Sequence, residues 1–171
     1  MLGYMSAVNK EALNNRFSKI HYLIGEFDVV VYSSVPSSGW IKTGTGSASF
    51  SLENTFITEK VKLTNQNSII TMNNTIGCDL EKDSFQLFAL DIGLGNMNVF
   101  KGTILDGILI FCSMESGLKN ENEFEDSFCF KLIYKQLSEF ENELVVGCSK
   151  DHGKTWFPFM KNQYRRKQDS K

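Results

Sequence analysis

Residues 97 to 114 read Met97-Asn98-Val99-Phe100-Lys101-Gly102-Thr103-Ile104-Leu105-Asp106-Gly107-Ile108-Leu109-Ile110-Phe111-Cys112-Ser113-Met114. An Asp-Gly pair stands between two apolar runs. Both central residues of a type I′ turn need a positive φ, which Asp and Gly tolerate better than most residues. The flanking runs are short and rich in the Ile, Val and Phe that pleated strands accommodate. The segment therefore predicts a β-hairpin in which Met97–Leu105 turns into Ile108–Met114.

The same pattern extends outward in both directions. Towards the N-terminus, strands are predicted over Glu26–Val35, Ile41–Ser51, Thr55–Thr64, Ser68–Leu80 and Ser84–Ile92, and towards the C-terminus over Ser127–Leu137, Glu139–Cys148 and Thr155–Tyr164. Phe27, Val29, Val31 and Val35 share one face of the first strand, with Asp28 and Ser34 on the other. In the second, the run Thr43-Gly44-Thr45-Gly46-Ser47-Ala48 predicts a strand that bends or lets a neighbour approach closely. Pro36-Ser37-Ser38-Gly39 and Glu53-Asn54 supply turns, and the polar, aperiodic stretch from Leu118 to Asp126 predicts an exposed loop. Counting gives about ten strands, hence an all-β, closed, antiparallel up-and-down barrel. No repeat of fixed period is present, which argues against a propeller. Ahead of the strands, Val8, Ala12, Phe17, Ile20 and Ile24 recur at helical spacing. They predict one N-terminal helix with Ser6 as its N-cap and Gly25 closing it. The expected organisation is a single domain, 1–171, made of a helical segment 1–24, a barrel 26–164 and a polar tail 165–171 that contains Arg165-Arg166-Lys167.

Composition narrows the partners. The 171 residues carry a formal net charge of -2, so no basic footprint for nucleic acid exists. With 14 Phe and only 2 Pro, the chain suits a large strand-built interior. No apolar run is long enough to cross a bilayer as a helix, and no leader-like segment opens the chain, so no membrane partner is expected and a cytoplasmic location is. Cys78, Cys112, Cys129 and Cys148 are too widely spaced for a zinc or redox motif. They read as buried free thiols. A small-molecule ligand is the expected partner, and a homodimer is compatible with the sequence.

Candidate chemistry is sparse, with no catalytic constellation and no metal-ligand spacing. Glu59 shares a strand face with Ile57, Val61 and Leu63. If that face is inside, a carboxylate points into the barrel and either takes a proton or meets a partner. The opposite register puts Phe56 inside and Glu59 in water, and both registers are open at this point. Asp91 is a second lumen candidate, with a turn carboxylate as its plainer reading, and Tyr32 a third. Ser149, Asp151, Gly153 and Trp156 match the pattern S-x-D-x-G-x-x-W of an Asp-box, a structural hairpin turn. The only histidines are His21 and His152; no cofactor is expected, with haem on a single His axial ligand as the weaker alternative.

Several segments resemble the small calycin-type barrels of an uncharacterised bacterial family, a domain of unknown function related in fold to lipocalins and fatty-acid-binding proteins. The resemblance rests on Leu23-Ile24-Gly25-Glu26-Phe27, on Gly44-Thr45-Gly46 with Phe50, and on Phe56 with Glu59. It continues through Gly77-Cys78-Asp79 with Phe85 and Asp91 to Gly102-Thr103. Phe27 stands where the family usually has Trp, Cys78 where it has an aromatic residue, and the turn between the second and third strands is shorter. The resemblance implies a barrel with an apolar or mixed lumen and brings no catalytic residues. The expected function is binding of a small, partly hydrophobic molecule in that lumen. Two alternatives are an enzyme or lyase-like barrel using Glu59 or Asp91 as general acid or base, and a haem-binding barrel.

Overall fold

Asp106 and Gly107 adopt φ of 50° and 78°, and the hairpin forms around them. This computed structural model describes residues 7–65, 68–113 and 129–168. Ten strands follow one another: β1 (Gly25–Val35), β2 (Gly39–Glu53), β3 (Phe56–Asn65), β4 (Ser68–Asp79), β5 (Ser84–Asp91), β6 (Asn96–Leu105), β7 (Ile108–Ser113), β8 (Cys129–Gln136), β9 (Glu141–Ser149) and β10 (Phe157–Arg166). Each pairs antiparallel with the next, and β1 pairs with β10, which closes the sheet into a barrel without free edges. The seam is in register over seven residue pairs, from Phe27 opposite Arg166 to Ser33 opposite Met160.

Alternation along each strand builds one interior. Phe27, Val29 and Val31 of β1, Ala48 and Phe50 of β2, and Ile57, Val61 and Leu63 of β3 are buried. So are Phe85, Leu87 and Ala89 of β5, Leu109 and Phe111 of β7, and Leu144 and Val146 of β9. The glycines of β2 do what their composition predicts: a Cβ at Gly44 or Gly46 would meet the backbone of β3, so side chains there would force the two strands apart.

Odd-numbered connections, such as the turn joining β1 to β2, lie at one end of the barrel, and even-numbered ones, such as that joining β2 to β3, at the other. The N-terminal segment seals the second end. Its helix is shorter than the periodicity suggests: α1 spans Ala7–Ser18, a 3-10 turn covers His21–Leu23, and Ile24 is already extended. The buried stripe is also rotated from the predicted one. Leu13, Phe17 and Ile20 are buried while Ala12 is exposed, because Phe17 seeks the ring of Phe85 at 6.2 Å. Arg16 pairs with Asp83 beside it. Ser6 and the stretch 118–126 lie outside the described residues.

Arg165 and Arg166 are not part of a tail. They complete β10, and Arg166 turns inward over the Phe27 ring, donating to the carbonyls of Ile24 (2.6 Å) and Tyr22 (2.9 Å). Gly25 has a φ of 141° and lies against that guanidinium, so a side chain there would be strained twice. The four cysteines are free and half-buried, not fully buried. No helix among the described residues is long and apolar enough to cross a membrane.

Candidate functional site

Glu59 stands on the inward face of β3, 1% exposed, while Phe56 is 48% exposed outside. The register follows from the neighbours: Ile57, Val61 and Leu63 are all buried, and Lys60 and Lys62 gain water on the other face. Across the ladder Glu59 is opposite Phe50 on β2 and Asn74 on β4. Asn74 donates its amide N–H to Oε2 at 2.7 Å, and the hydroxyls of Tyr134 on β8 and Tyr164 on β10 reach Oε2 at 3.3 Å and Oε1 at 3.4 Å. Rings wall this cluster: Phe27, Phe50 and Tyr164 meet edge to face with centroids 5.8 to 6.0 Å apart, and Phe111 meets Tyr134 at 6.2 Å.

The electrostatics of the cluster follow from burial without a counter-ion. Among the described residues no cationic side chain forms an ion pair with Glu59. Burial pushes its carboxyl up to about 7 against the pull of the three donors, Asn74 foremost. Tyr134 and Tyr164 are raised well above the ordinary tyrosine value, chiefly by burial and then by the Glu59 charge; for Tyr164 a contact from Asn162 offsets part of the rise. Two buried amide oxygens, Asn74 Oδ1 and Asn162 Oδ1, accept no hydrogen bond from the described residues. Each such acceptor costs about 1–3 kcal/mol when left unmet.

Above the cluster, towards the β1–β2 end, the same inward faces carry Ile70, Met72, Phe130, Leu132 and Met160, all only half-buried. Met72 lies two residues from Asn74 and Met160 two residues from Asn162, each on the same side of its strand. The interior thus has a packed polar base, with half-buried apolar side chains above it towards the β1–β2 end. Two clefts of about 310 and 290 Å³, one along Lys60 and Lys62 and the other between Phe56 and Phe88, belong to the outer wall and contain none of the cluster.

The other candidates are placed elsewhere. Tyr32 stands on the outer face, because Val29 and Val31 occupy the inner positions of β1; its hydroxyl donates to Gln163 at 3.3 Å, and Lys161 lies over its ring at 5.0 Å. Asp91 shares the inward side of β5 with Leu87 and Ala89 at the rim, where its Oδ1 accepts from the amides of Gly93 (2.9 Å) and Leu94 (3.0 Å). His21 and His152 are exposed, one in the sealing segment and one in the β9–β10 turn. In that turn Ser149 Oγ donates to Asp151 and accepts from Gly153 N–H, Asp151 accepts from Thr155, and Trp156 covers Gly147 and Gly153 under Lys131. These bonds, the Thr155 hydroxyl first, hold the Asp151 carboxyl far below the usual range. Sequence reasoning passed over Asn74, Tyr134, Asn162 and Tyr164. The signal that marked Glu59, a polar residue alternating with apolar ones, is equally present in Met72-Asn73-Asn74-Thr75-Ile76.

No family model and no curated protein matches the chain. Among solved structures it is similar to the crystal structure of Rv2717c from M. tuberculosis, with a TM-score of 0.62 over 89% of this chain and 97% of that one. Sequence identity is 10%, so the likeness is one of fold.

Proposed function

We propose that the protein binds a small, partly apolar molecule in the barrel lumen, with Glu59 as the polar anchor at the base. The observation that carries this reading is a buried carboxylate held by three donors beneath an inward wall of half-buried apolar side chains. Small-molecule sites combine such a lining with a few placed polar groups. A barrel interior needs no carboxylate for stability, since an apolar residue of the same size fills such a position without the cost of desolvation.

A neutral solvatochromic dye such as Nile red tests the reading. It should brighten on binding the wild-type protein, and Met72→Trp, which fills the upper lumen, should weaken that binding by at least about tenfold, or 1.4 kcal/mol. Circular dichroism should show the variant still folded. A dye that binds both proteins alike, or neither, counts against lumen binding.

A further inference from the structure

The hydrogen-bond accounting of the lumen is one-sided. Asn74 spends an N–H on Glu59, and its carbonyl oxygen meets no donor among the described residues. Asn162 Oδ1, beside Tyr164 on β10, is in the same condition. Both residues are more than nine-tenths buried. Three inward side chains therefore present oxygen acceptors, one of them a carboxylate that pairs with no cation among the described residues. The inward-turning cation Arg166 is committed to the carbonyls of Tyr22 and Ile24 in the sealing segment. A second carboxylate, Asp91, faces inward at the rim. Buried acceptors left unmet in a folded protein call for a donor.

We propose that the ligand of this lumen is a protonated primary amine on an apolar body, its ammonium donating to Glu59 and to the carbonyl oxygens of Asn74 and Asn162. An ammonium has three donors and no acceptor, which complements this set, and its hydrogen bonds to the carboxylate are charge-assisted. Met72 and Met160 stand directly over the two asparagines, and unbranched thioether side chains are the ones that move aside most easily for an incoming chain. The apolar body then lies against Ile70, Phe130 and Leu132. This inference rests on the lumen-binding reading above and adds the charge and chemistry of the ligand.

A chain-matched series separates the two. Octylamine, 1-octanol and octanoate are titrated against wild-type protein carrying Nile red, at a pH where the amine is protonated and Glu59 ionised, about pH 8. Octylamine should displace the dye at least about tenfold more tightly than 1-octanol, and octanoate should be weakest. Glu59→Gln should bring octylamine down to the level of the alcohol. Equal displacement by amine and alcohol overturns the amine assignment while leaving lumen binding in place; it is the result expected if Glu59 stays protonated and donates to a rotated Asn74 amide. Stronger displacement by octanoate, or none by any of the three from a protein that binds the dye, overturns it as well. A wild-type protein that does not bind the dye defeats both readings. The amine-to-alcohol ratio is read on the wild type, so it holds even if Glu59→Gln fails to fold.

Discussion

Glu59 makes folding stability depend on pH in a direction opposite to that of most carboxylates. In the folded chain its carboxyl is raised to about 7, against 4.5 when unfolded. Between those values the native state holds a proton that the unfolded state has lost, so unfolding releases it and rising pH favours unfolding. The contribution is fully present below 4.5 and gone above about 7, a loss on the order of 3 kcal/mol. Asp151, held low by Thr155 and Ser149, acts in the usual sense and in a lower window, losing its contribution as pH falls below its unfolded value of 3.8. The difference between wild type and Glu59→Gln isolates the buried group. In urea titrations at about pH 5 and about pH 8, the wild type should lose stability relative to Glu59→Gln by up to about 3 kcal/mol across the interval. Parallel pH profiles for the two proteins would show that Glu59 does not titrate there.

The sealing segment is fastened by hydrogen bonds that tie distant parts of the chain. Arg166 of β10 grips two carbonyls of the 3-10 turn region, Asn142 of β9 donates to Tyr22 O at 2.9 Å, and Tyr22 donates its hydroxyl to Tyr134 O at 3.1 Å. Removing the guanidinium takes the donor from the Ile24 carbonyl and one of the two donors from that of Tyr22, so Arg166→Met should destabilise the protein by about 1–3 kcal/mol. Hydrogen exchange should rise at Leu23 and Ile24, whose amides bond to Ile20 and His21, and stay unchanged in the Asp-box turn at the far end. Equal protection in both proteins would mean that packing by Phe17 and Ile20 holds the segment alone. Strands were legible in the sequence because a period of two with a turn signal at each end is local information. The role of Arg166 was not, because charge at a chain end reads as solvated until closure of β1 on β10 brings it over Phe27. For Glu59 the alternation narrowed the choice to two registers, and only the packing of Ile57, Val61 and Leu63 against the other strands selects one. Tyr134 and Tyr164 lie 75 and 105 residues from Glu59, a separation no local pattern reports.

Closure of the whole molecule pairs its first strand with its last, setting Val29 opposite Tyr164. Contacts of such separation carry the largest loop-closure entropy and form late, whereas the β6–β7 hairpin needs only the two-residue turn at Asp106-Gly107. Two buried positions separate these regions. Leu109 on β7 is fully buried and Val29 on β1 is 1% exposed, so truncating either to Ala removes interior contacts. The expected equilibrium losses are about 2–5 kcal/mol for Leu109→Ala and about 1.6 kcal/mol for the two methylene equivalents of Val29→Ala, both large enough for a ratio of kinetic to equilibrium effects. If the hairpin belongs to the folding nucleus and the seam does not, Leu109→Ala slows folding with a φ-value of about 0.5–0.8, and Val29→Ala acts almost wholly by speeding unfolding, with a φ-value of about 0–0.3. Stopped-flow refolding and unfolding of the two variants decides it. The reverse order would mean that the chain ends meet first and the hairpin is completed inside an already closed ring.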